Sequence, residues 1–202
     1  MKNKKGDIWV SAVLYFGLGI IVISIILAAG LPVINKLKDK NILIQTKELF
    51  NVLDENMLTV ISGGPDSQRP ITLDIKKGEI KINDKDATPP NTIIWRFEGS
   101  RTFASEPTNP SEDPLIVNLA GTRNVKVKTI RSNNEGRYDI EYILDYDNIA
   151  IIETVGGETK TIRGTTKKII RNEGVDTITT PGEDTDASTS ENLKPKILIK
   201  QI

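Results

Sequence analysis

The chain contains neither cysteine nor histidine among its 202 residues. Without cysteine it has no disulfides and no thiol chemistry, and without histidine it lacks the commonest general base and the usual zinc or copper ligands. No serine, lysine or carboxylate cluster forms a credible catalytic set without a histidine partner. We therefore expect no enzymatic activity, no cofactor and no metal site, with an envelope hydrolase that uses only Asp and Glu as the enzymatic alternative.

An excess of charge of either sign is also missing. Lys and Arg together number 27, as do Asp and Glu. Because a basic excess is the electrostatic signature of nucleic-acid binding, we expect no nucleic-acid partner. The ~140 residues that follow the N-terminal helical region suffice for one globular domain with a modest core.

The most informative feature that is present is an uncharged apolar run behind a basic head. Residues 1–6 form a basic leader, and residues 7–34 contain the run, which extends from Ile8 to Ile34. As a helix it would reach about 40 Å, which exceeds the roughly 30 Å of a bilayer core. Its apolar residues surround the whole helix, so it suits lipid or the dry centre of a helical assembly. The sequence predicts a single-pass membrane segment with lipid as a partner.

Residues 35–62 change to an amphipathic pattern. Apolar residues recur at spacings of three, four and seven, which predicts a stem helix with one apolar face: Leu43, Phe50, Leu53, Met57, Val60 and Ile61. Ser62-Gly63-Gly64-Pro65 should end this helix. Pro32 should kink or loosen the helix between the apolar run and the stem, because its ring removes the hydrogen bond to the carbonyl of Ala28.

Residues 63–202 show the alternation that is typical of strands. Residues 71–75 and 79–82 surround Lys77-Gly78, which predicts a hairpin. Further strands are predicted over residues 92–98, 115–119, 124–131, 137–146, 149–154, 159–163, 167–171 and 196–201. Residues 175–192 are acidic and rich in Thr and Ser, which predicts a mobile surface loop.

The predicted fold is therefore α+β. A long N-terminal hydrophobic helix precedes an antiparallel β-rich head domain that resembles a meander or a sandwich. Trp95 and Phe97 share one face of a strand and should belong to the core of this domain. We expect a fragment that begins near Gly64 to fold alone.

Two acidic turns are candidates for calcium sites. Residues 83–86 and 145–148 place side-chain oxygens in turns, but neither has the full loop spacing with a closing Glu. We therefore predict that both are solvated turns.

The N-terminal arrangement of Lys4, Lys5 and Gly6, followed by Asp7 and the apolar run, resembles a known class of signal. It is similar to the class III signal peptide of archaeal type IV pilin-like or archaellin-like subunits, over about residues 2–62. The resemblance implies that a prepilin peptidase, an aspartic protease, cuts after Gly6 and leaves Asp7 as the new N-terminus. It also implies assembly by the pilus machinery into a homo-oligomeric cell-surface filament, with the β-domains outside for adhesion or interaction.

The residues of the processing site also have a physical interpretation. A cut that precedes the apolar run leaves the hydrophobic helix on the product. Gly6 lets a protease approach its carbonyl closely, and Lys4 and Lys5 can lie at an anionic leaflet. Ser11 stands at the fifth mature position, where bacterial pilins usually carry Glu, and this departure weakens a bacterial assignment.

Several positions in the apolar run are candidates for assembly contacts. Gly17, Gly19 and Ser24 are small enough to allow neighbouring helices to approach closely. Trp9 and Tyr15 suit an interfacial belt or packing in a filament. Ser11 and Pro32 complete the set of candidate assembly residues.

Two other membrane interpretations stay open. The run can be an uncleaved signal anchor that carries an extracellular binding module. It can also be a removable signal peptide cut near Ala28-Ala29-Gly30, although the apolar run before that point exceeds the ~7–15 residues of such a peptide. Lysines flank the run on both sides, so charge alone leaves the orientation ambiguous. The export of a strand-rich domain favours a cytoplasmic N-terminus and an extracellular C-terminal domain.

Overall fold

The computed structural model describes residues 4–122, 124–155, 160–177 and 193–201. Within these residues one helix, α1 (Lys4–Ser62), precedes eight strands. The strands are β1 (Gln68–Asn83), β2 (Thr92–Ser100), β3 (Ile116–Asn118), β4 (Lys126–Arg131), β5 (Tyr138–Asp145), β6 (Ile151–Thr154), β7 (Lys160–Thr177) and β8 (Leu193–Gln201). The predicted α+β fold with a long N-terminal helix is confirmed.

All eight strands belong to one sheet. Their order is β3-β4-β5-β2-β1-β7-β8-β6. Neighbouring strands pair antiparallel except β6 and β8, which run parallel, so the sheet is mixed. The predicted antiparallel pairing is therefore confirmed for every pair of neighbouring strands except β6 and β8.

The core lies between the stem half of α1 and one face of the sheet. Five of the six predicted stem positions are buried, and Ile61 is half-buried. Ile80, Trp95, Tyr142 and Val127 lie directly opposite one another across β1, β2, β5 and β4, and all four are buried. Directly paired residues share a face, so this row defines the face that receives the helix.

Helix α1 continues without a break through Pro32. The helix therefore does not break at this residue, although proline has no N–H to donate to the carbonyl of Ala28. The helix ends at Ser62, as the following glycines indicate. Gly63 donates its N–H to the carbonyl of Thr59, and Gly64 takes a φ of 76°, which a residue without a side chain adopts at little cost.

The predicted hairpin at Lys77-Gly78 is wrong. β1 runs straight through these residues, and its pairing with β7 shifts register between Ile75 and Ile80. Gly78 has a φ of 81°, and a Cβ placed on it would lie 2.3 Å from the carbonyl oxygen of Arg96. The glycine therefore serves a β-bulge that approaches the β2 backbone closely, a use that sequence alone does not separate from a turn.

Two other predictions near the C-terminus need correction. Residues 159–163 and 167–171 were predicted as separate strands, but residues 160–177 form the single strand β7. Val175, Asp176 and Thr177 pair with Pro195, Lys194 and Leu193, so the start of the predicted 175–192 loop belongs to the sheet. Residues 178–192 of that loop lie outside the described residues.

Candidate assembly surface

The N-terminal half of α1 projects away from the domain. The exposed apolar arm, defined here as residues 9–37, carries large apolar side chains on every side: Trp9, Val10, Val13, Leu14, Tyr15, Phe16, Leu18, Ile20, Ile21, Val22, Ile23, Ile25, Ile26, Leu27, Leu31, Val33, Ile34 and Leu37 are all exposed. In the described part of the chain it belongs to the one helix that is long and apolar enough to cross a membrane. Exposed apolar surface of this extent marks contact with lipid or with other apolar chains.

Gly17 and Gly19 make no contacts within the protein that a larger side chain would disturb. A Cβ on Gly17 or on Gly19 would meet nothing within 4 Å. Ser24 donates its hydroxyl to the carbonyl of Ile20 at 2.8 Å, so its polar group is satisfied within the helix. At 100° per residue Gly17 and Ser24 share one face and Gly19 lies on the other. The small positions therefore offer two sides for close approach.

The remaining predicted positions lie along the same helix. Lys4, Lys5, Gly6 and Asp7 belong to its first turns, so the Gly6–Asp7 bond lies at its N-terminal end. Trp9 and Tyr15 are about three-quarters exposed, and Ser11 is exposed. Pro32 is exposed as well, so the domain leaves Trp9, Ser11, Tyr15 and Pro32 uncovered.

A buried carboxylate marks the point where α1 enters the domain. Asp39 Oδ1 accepts a hydrogen bond from Lys77 Nζ at 3.3 Å, and Asp39 Oδ2 accepts one from the backbone N–H of Arg101 at 3.0 Å. The Lys77 ammonium also lies 4.4 Å from the centre of the Phe97 ring. These contacts fix the helix against β1 and the end of β2, and they satisfy a charge that would be costly to bury alone.

Aromatic rings hold the stem against the middle of the sheet. The Phe50 ring packs edge-on against Tyr142, with their centres 6.1 Å apart, and Tyr142 packs against Trp95 at 5.1 Å. Trp95 and Phe97 are both buried, with ring centres 5.7 Å apart, which confirms their predicted place in the core. The indole N–H of Trp95 donates to the carbonyl of Lys77. Phe50 thus fixes the middle of the stem against the centre of the sheet.

Asn172 closes the far end of the stem. Its side-chain amide, buried in β7, donates to the carbonyls of Val60 and Ile61 at 3.2 and 3.4 Å. The last carbonyls of a helix have no partner within the helix, so this residue caps α1 from the sheet. This role is not visible in the sequence, because an Asn within a strand pattern gives no sign that it faces a helix end.

The opposite face of the sheet carries a shallow charged trough of about 620 Å³. Its central carboxylate, Glu141, accepts hydrogen bonds from Arg96 Nε at 2.8 Å and from Lys128 Nζ at 2.9 Å. Burial alone would raise the pKa of Glu141, but the two cations outweigh it and hold this pKa below the ordinary value of 4.5. Lys81, Lys126 and Asp145 also line the trough, and Lys126 pairs with Asp145, so four cations face two carboxylates there.

The two acidic turns are held by internal hydrogen bonds. Asp84 Oδ1 accepts the N–H of Asp86, and Asp145 Oδ1 accepts the N–H of Asp147. Asp84 is buried, so the expectation that the first turn is solvated is wrong in part. Among the described residues no group of three or more Asp or Glu side chains is placed to hold a metal ion.

The apolar arm and the charged trough are thus two described surfaces that can carry a function. Comparisons of the chain with protein-family models, with curated proteins and with solved structures find no match.

Proposed function

We propose that the chain is a pilin-like structural subunit. It is inserted in the membrane by the apolar arm, cut after Gly6 by a prepilin peptidase, and assembled by the pilus machinery into a cell-surface filament. The arm then forms the filament core, and the β-domain lies outside as an exposed surface for adhesion or interaction.

The observation that carries this proposal is the separation of α1 into two halves. One face of the stem is buried in the domain, whereas residues 9–38 extend along about 45 Å of helix with exposed apolar side chains on all sides. A membrane anchor needs only about 20 apolar residues on such an extension. A helix that is continuous with the domain core also transmits the position of the arm rigidly to the domain, which a regular filament requires.

The Gly6–Asp7 bond supports the same proposal. It lies at the very start of α1, before the arm, so cleavage there removes the basic leader and keeps every residue of the apolar surface. The class III resemblance places the cut at this bond.

An anchored binding module is the second candidate. The trough around Glu141 favours it, because a concave, positively charged surface on the exposed face of a sheet is suited to an anionic partner. In this alternative the leader stays attached and the arm remains in lipid.

The mature N-terminus separates these candidates. The full chain is expressed with its cognate peptidase, and its intact mass and N-terminal sequence are determined. Loss of only the first six residues, and no loss in a Gly6→Leu variant, supports the pilin-like proposal. A chain that begins at Met1 supports the anchor, and a chain that begins near Leu31 supports a removable signal peptide.

A further inference from the structure

The loop after β2 touches α1 just beyond the apolar run. Asp39 follows Ile34 by five residues, which is about 7.5 Å along the helix axis. Its Oδ2 accepts the backbone N–H of Arg101 at 3.0 Å. Because the helix is continuous here, this contact fixes the height of the loop above the end of the apolar run.

An exposed aromatic ring belongs to the same loop. Phe103 is two residues from Arg101, so their Cα atoms are at most about 7 Å apart. Its side chain is 54% exposed, and one edge packs against Tyr138 at 5.5 Å between ring centres. The ring is therefore held in place but left open on its other side.

Cations surround the helix at this level. Lys36, Lys38 and Lys40 are exposed, and neither they nor Arg101 form an ion pair among the described residues. The carboxylate between them, Asp39, is buried and already bonded. Glu98 alternates with the core residue Phe97 and lies on the opposite face of β2, away from the helix. Asp139, which lies beside this loop, accepts the backbone N–H of Gly99 at 2.9 Å. The four cations therefore have no carboxylate partner in the described part of the chain, whereas Asp39 and Asp139 are both already bonded.

We propose that Lys36, Lys38, Lys40, Arg101 and Phe103 form a membrane-facing surface that binds anionic lipid headgroups. The membrane is the one in which the protein's own arm is inserted, so the inference rests on the insertion step of the proposed function. It does not depend on cleavage or on filament assembly, and it holds for either orientation of the arm.

The dimensions of a bilayer agree with this surface. The hydrocarbon core is about 30 Å thick and the whole bilayer about 40–45 Å, so each headgroup layer is about 5–8 Å deep. Asp39 lies about 7.5 Å beyond Ile34 along the helix axis. When the apolar run ends at the hydrocarbon boundary, the loop that contacts Asp39 therefore lies within the headgroup layer. Lysines beside a span reach anionic headgroups, and exposed aromatic rings prefer this same depth.

The absence of cysteine allows a direct test on the full chain. A fluorophore is attached to a single cysteine at Thr102→Cys, which lies between Arg101 and Phe103 and leaves both in place, and the protein is reconstituted in vesicles that contain nitroxide-labelled headgroups. Ile149→Cys is the matched control, because Ile149 lies further from the end of the apolar run. Its N–H donates to the carbonyl of Tyr146, and the Tyr146 hydroxyl donates to Asp54, which lies 15 residues beyond Asp39 along α1. A third label at Leu18→Cys reports insertion of the arm.

We expect strong quenching at position 102 and little at position 149. Quenching at 102 should weaken in vesicles of neutral lipid, and in a Lys38→Gln, Lys40→Gln, Arg101→Gln background the ratio of docked to free domains should fall about fivefold per charge removed. Equal quenching at 102 and 149 with Leu18 inside the bilayer overturns the inference alone. A Leu18 label that stays in water overturns the inference and the proposed function together. Protection at 102 that follows protein concentration instead of lipid composition assigns the surface to contacts between copies, which also overturns it.

Discussion

The hydroxyl of Tyr146 donates a hydrogen bond to Asp54 Oδ1 at 2.9 Å, and both residues are buried. Asp54 Oδ2 accepts a second bond from Asn124 Nδ2, also at 2.9 Å. A carboxylate on the inward face of the stem is thus satisfied from two separate loops of the β-domain. Because each bond requires one particular rotation of the helix, the pair fixes how the stem is oriented on the sheet.

Removal of the Tyr146 hydroxyl should weaken this attachment. Tyr146→Phe leaves Asp54 Oδ1 buried without its donor, which costs about 1–3 kcal/mol of the free energy of unfolding. Burial and the nearby Asp54 carboxylate hold the pKa of Tyr146 far above its ordinary value of 10.0, so the hydroxyl remains a donor at neutral pH. Denaturant unfolding of a fragment of residues 36–202, followed by the fluorescence of Trp95, measures the change.

Tyr138→Phe is the control for this prediction. The Tyr138 hydroxyl makes no hydrogen bond among the described residues, and its ring contact with Phe103 survives the change. Its unfolding midpoint should match that of the parent fragment. A Tyr146→Phe variant as stable as Tyr138→Phe would show that the bond to Asp54 contributes nothing.

The buried stem changes the expectation for truncated forms. A fragment of residues 64–202 loses Phe50, Leu53, Met57 and Val60, each worth about 1.5–3 kcal/mol of burial, which together approaches the whole stability of a typical domain. We expect the 36–202 fragment to be a folded monomer and the 64–202 fragment to be unfolded or aggregated. Circular dichroism and sedimentation show whether each fragment is folded and monomeric. A well-folded 64–202 monomer would contradict the conclusion that the stem and the sheet share one core.

The bulge at Gly78 should not tolerate a side chain. Gly78→Ala would combine a positive φ with a Cβ 2.3 Å from the carbonyl oxygen of Arg96. Gly136→Ala is the matched control, because Gly136 has a φ of 68° but open space around its Cβ. We expect about 1–2 kcal/mol of destabilisation from backbone strain in the control and a clearly larger loss at Gly78. Equal losses would mean that strand β2 moves away freely.

Acid should weaken the sheet through Glu141. Its pKa in the folded protein lies below the unfolded value of 4.5, so its ion pairs contribute stability above about pH 4.5 that is lost as the pH falls through the folded pKa. Unfolding of the 36–202 fragment at about pH 6 and about pH 3.5 measures this loss. In Glu141→Gln the difference between the two pH values should be smaller, and an unchanged difference would assign the acid sensitivity to other carboxylates.

The periodicity of the sequence was sufficient to predict the helix and its inward face. Stem residues such as Phe50 and Met57 repeat with the helical period, and Ser62 with the glycines after it marks the end. Strand positions followed from local alternation in the same way. These features depend on residues that are close together in the chain, so they can be recognised from a single sequence.

The features that were missed depend on distant residues. Whether Lys77-Gly78 turns or bulges is decided by β2 and β7, and the role of Asn172 is decided by the end of α1, 111 residues away. The single strand β7 likewise bends at Gly164, with a φ of 71°, instead of ending there. Of the candidate site, the apolar arm was predictable from composition. The group of Lys36, Lys38, Lys40 and Arg101 was not, because Arg101 is brought to the helix only by the contact of its backbone with Asp39.

Assembly of the arm into fibres tests the central claim most directly. The full chain and its Gly19→Leu and Ser24→Leu variants are produced with their own processing and assembly machinery, and sheared, sedimentable fibres are measured beside membrane insertion. Ile20→Leu, which conserves volume and hydrophobicity, is the control. The pilin-like proposal predicts fibres from the parent and the control but none from the two variants, with insertion unchanged in all four, because the added side chains clash only between helices. Absence of fibres from the parent, or fibres from both variants at the parent's level, would contradict it.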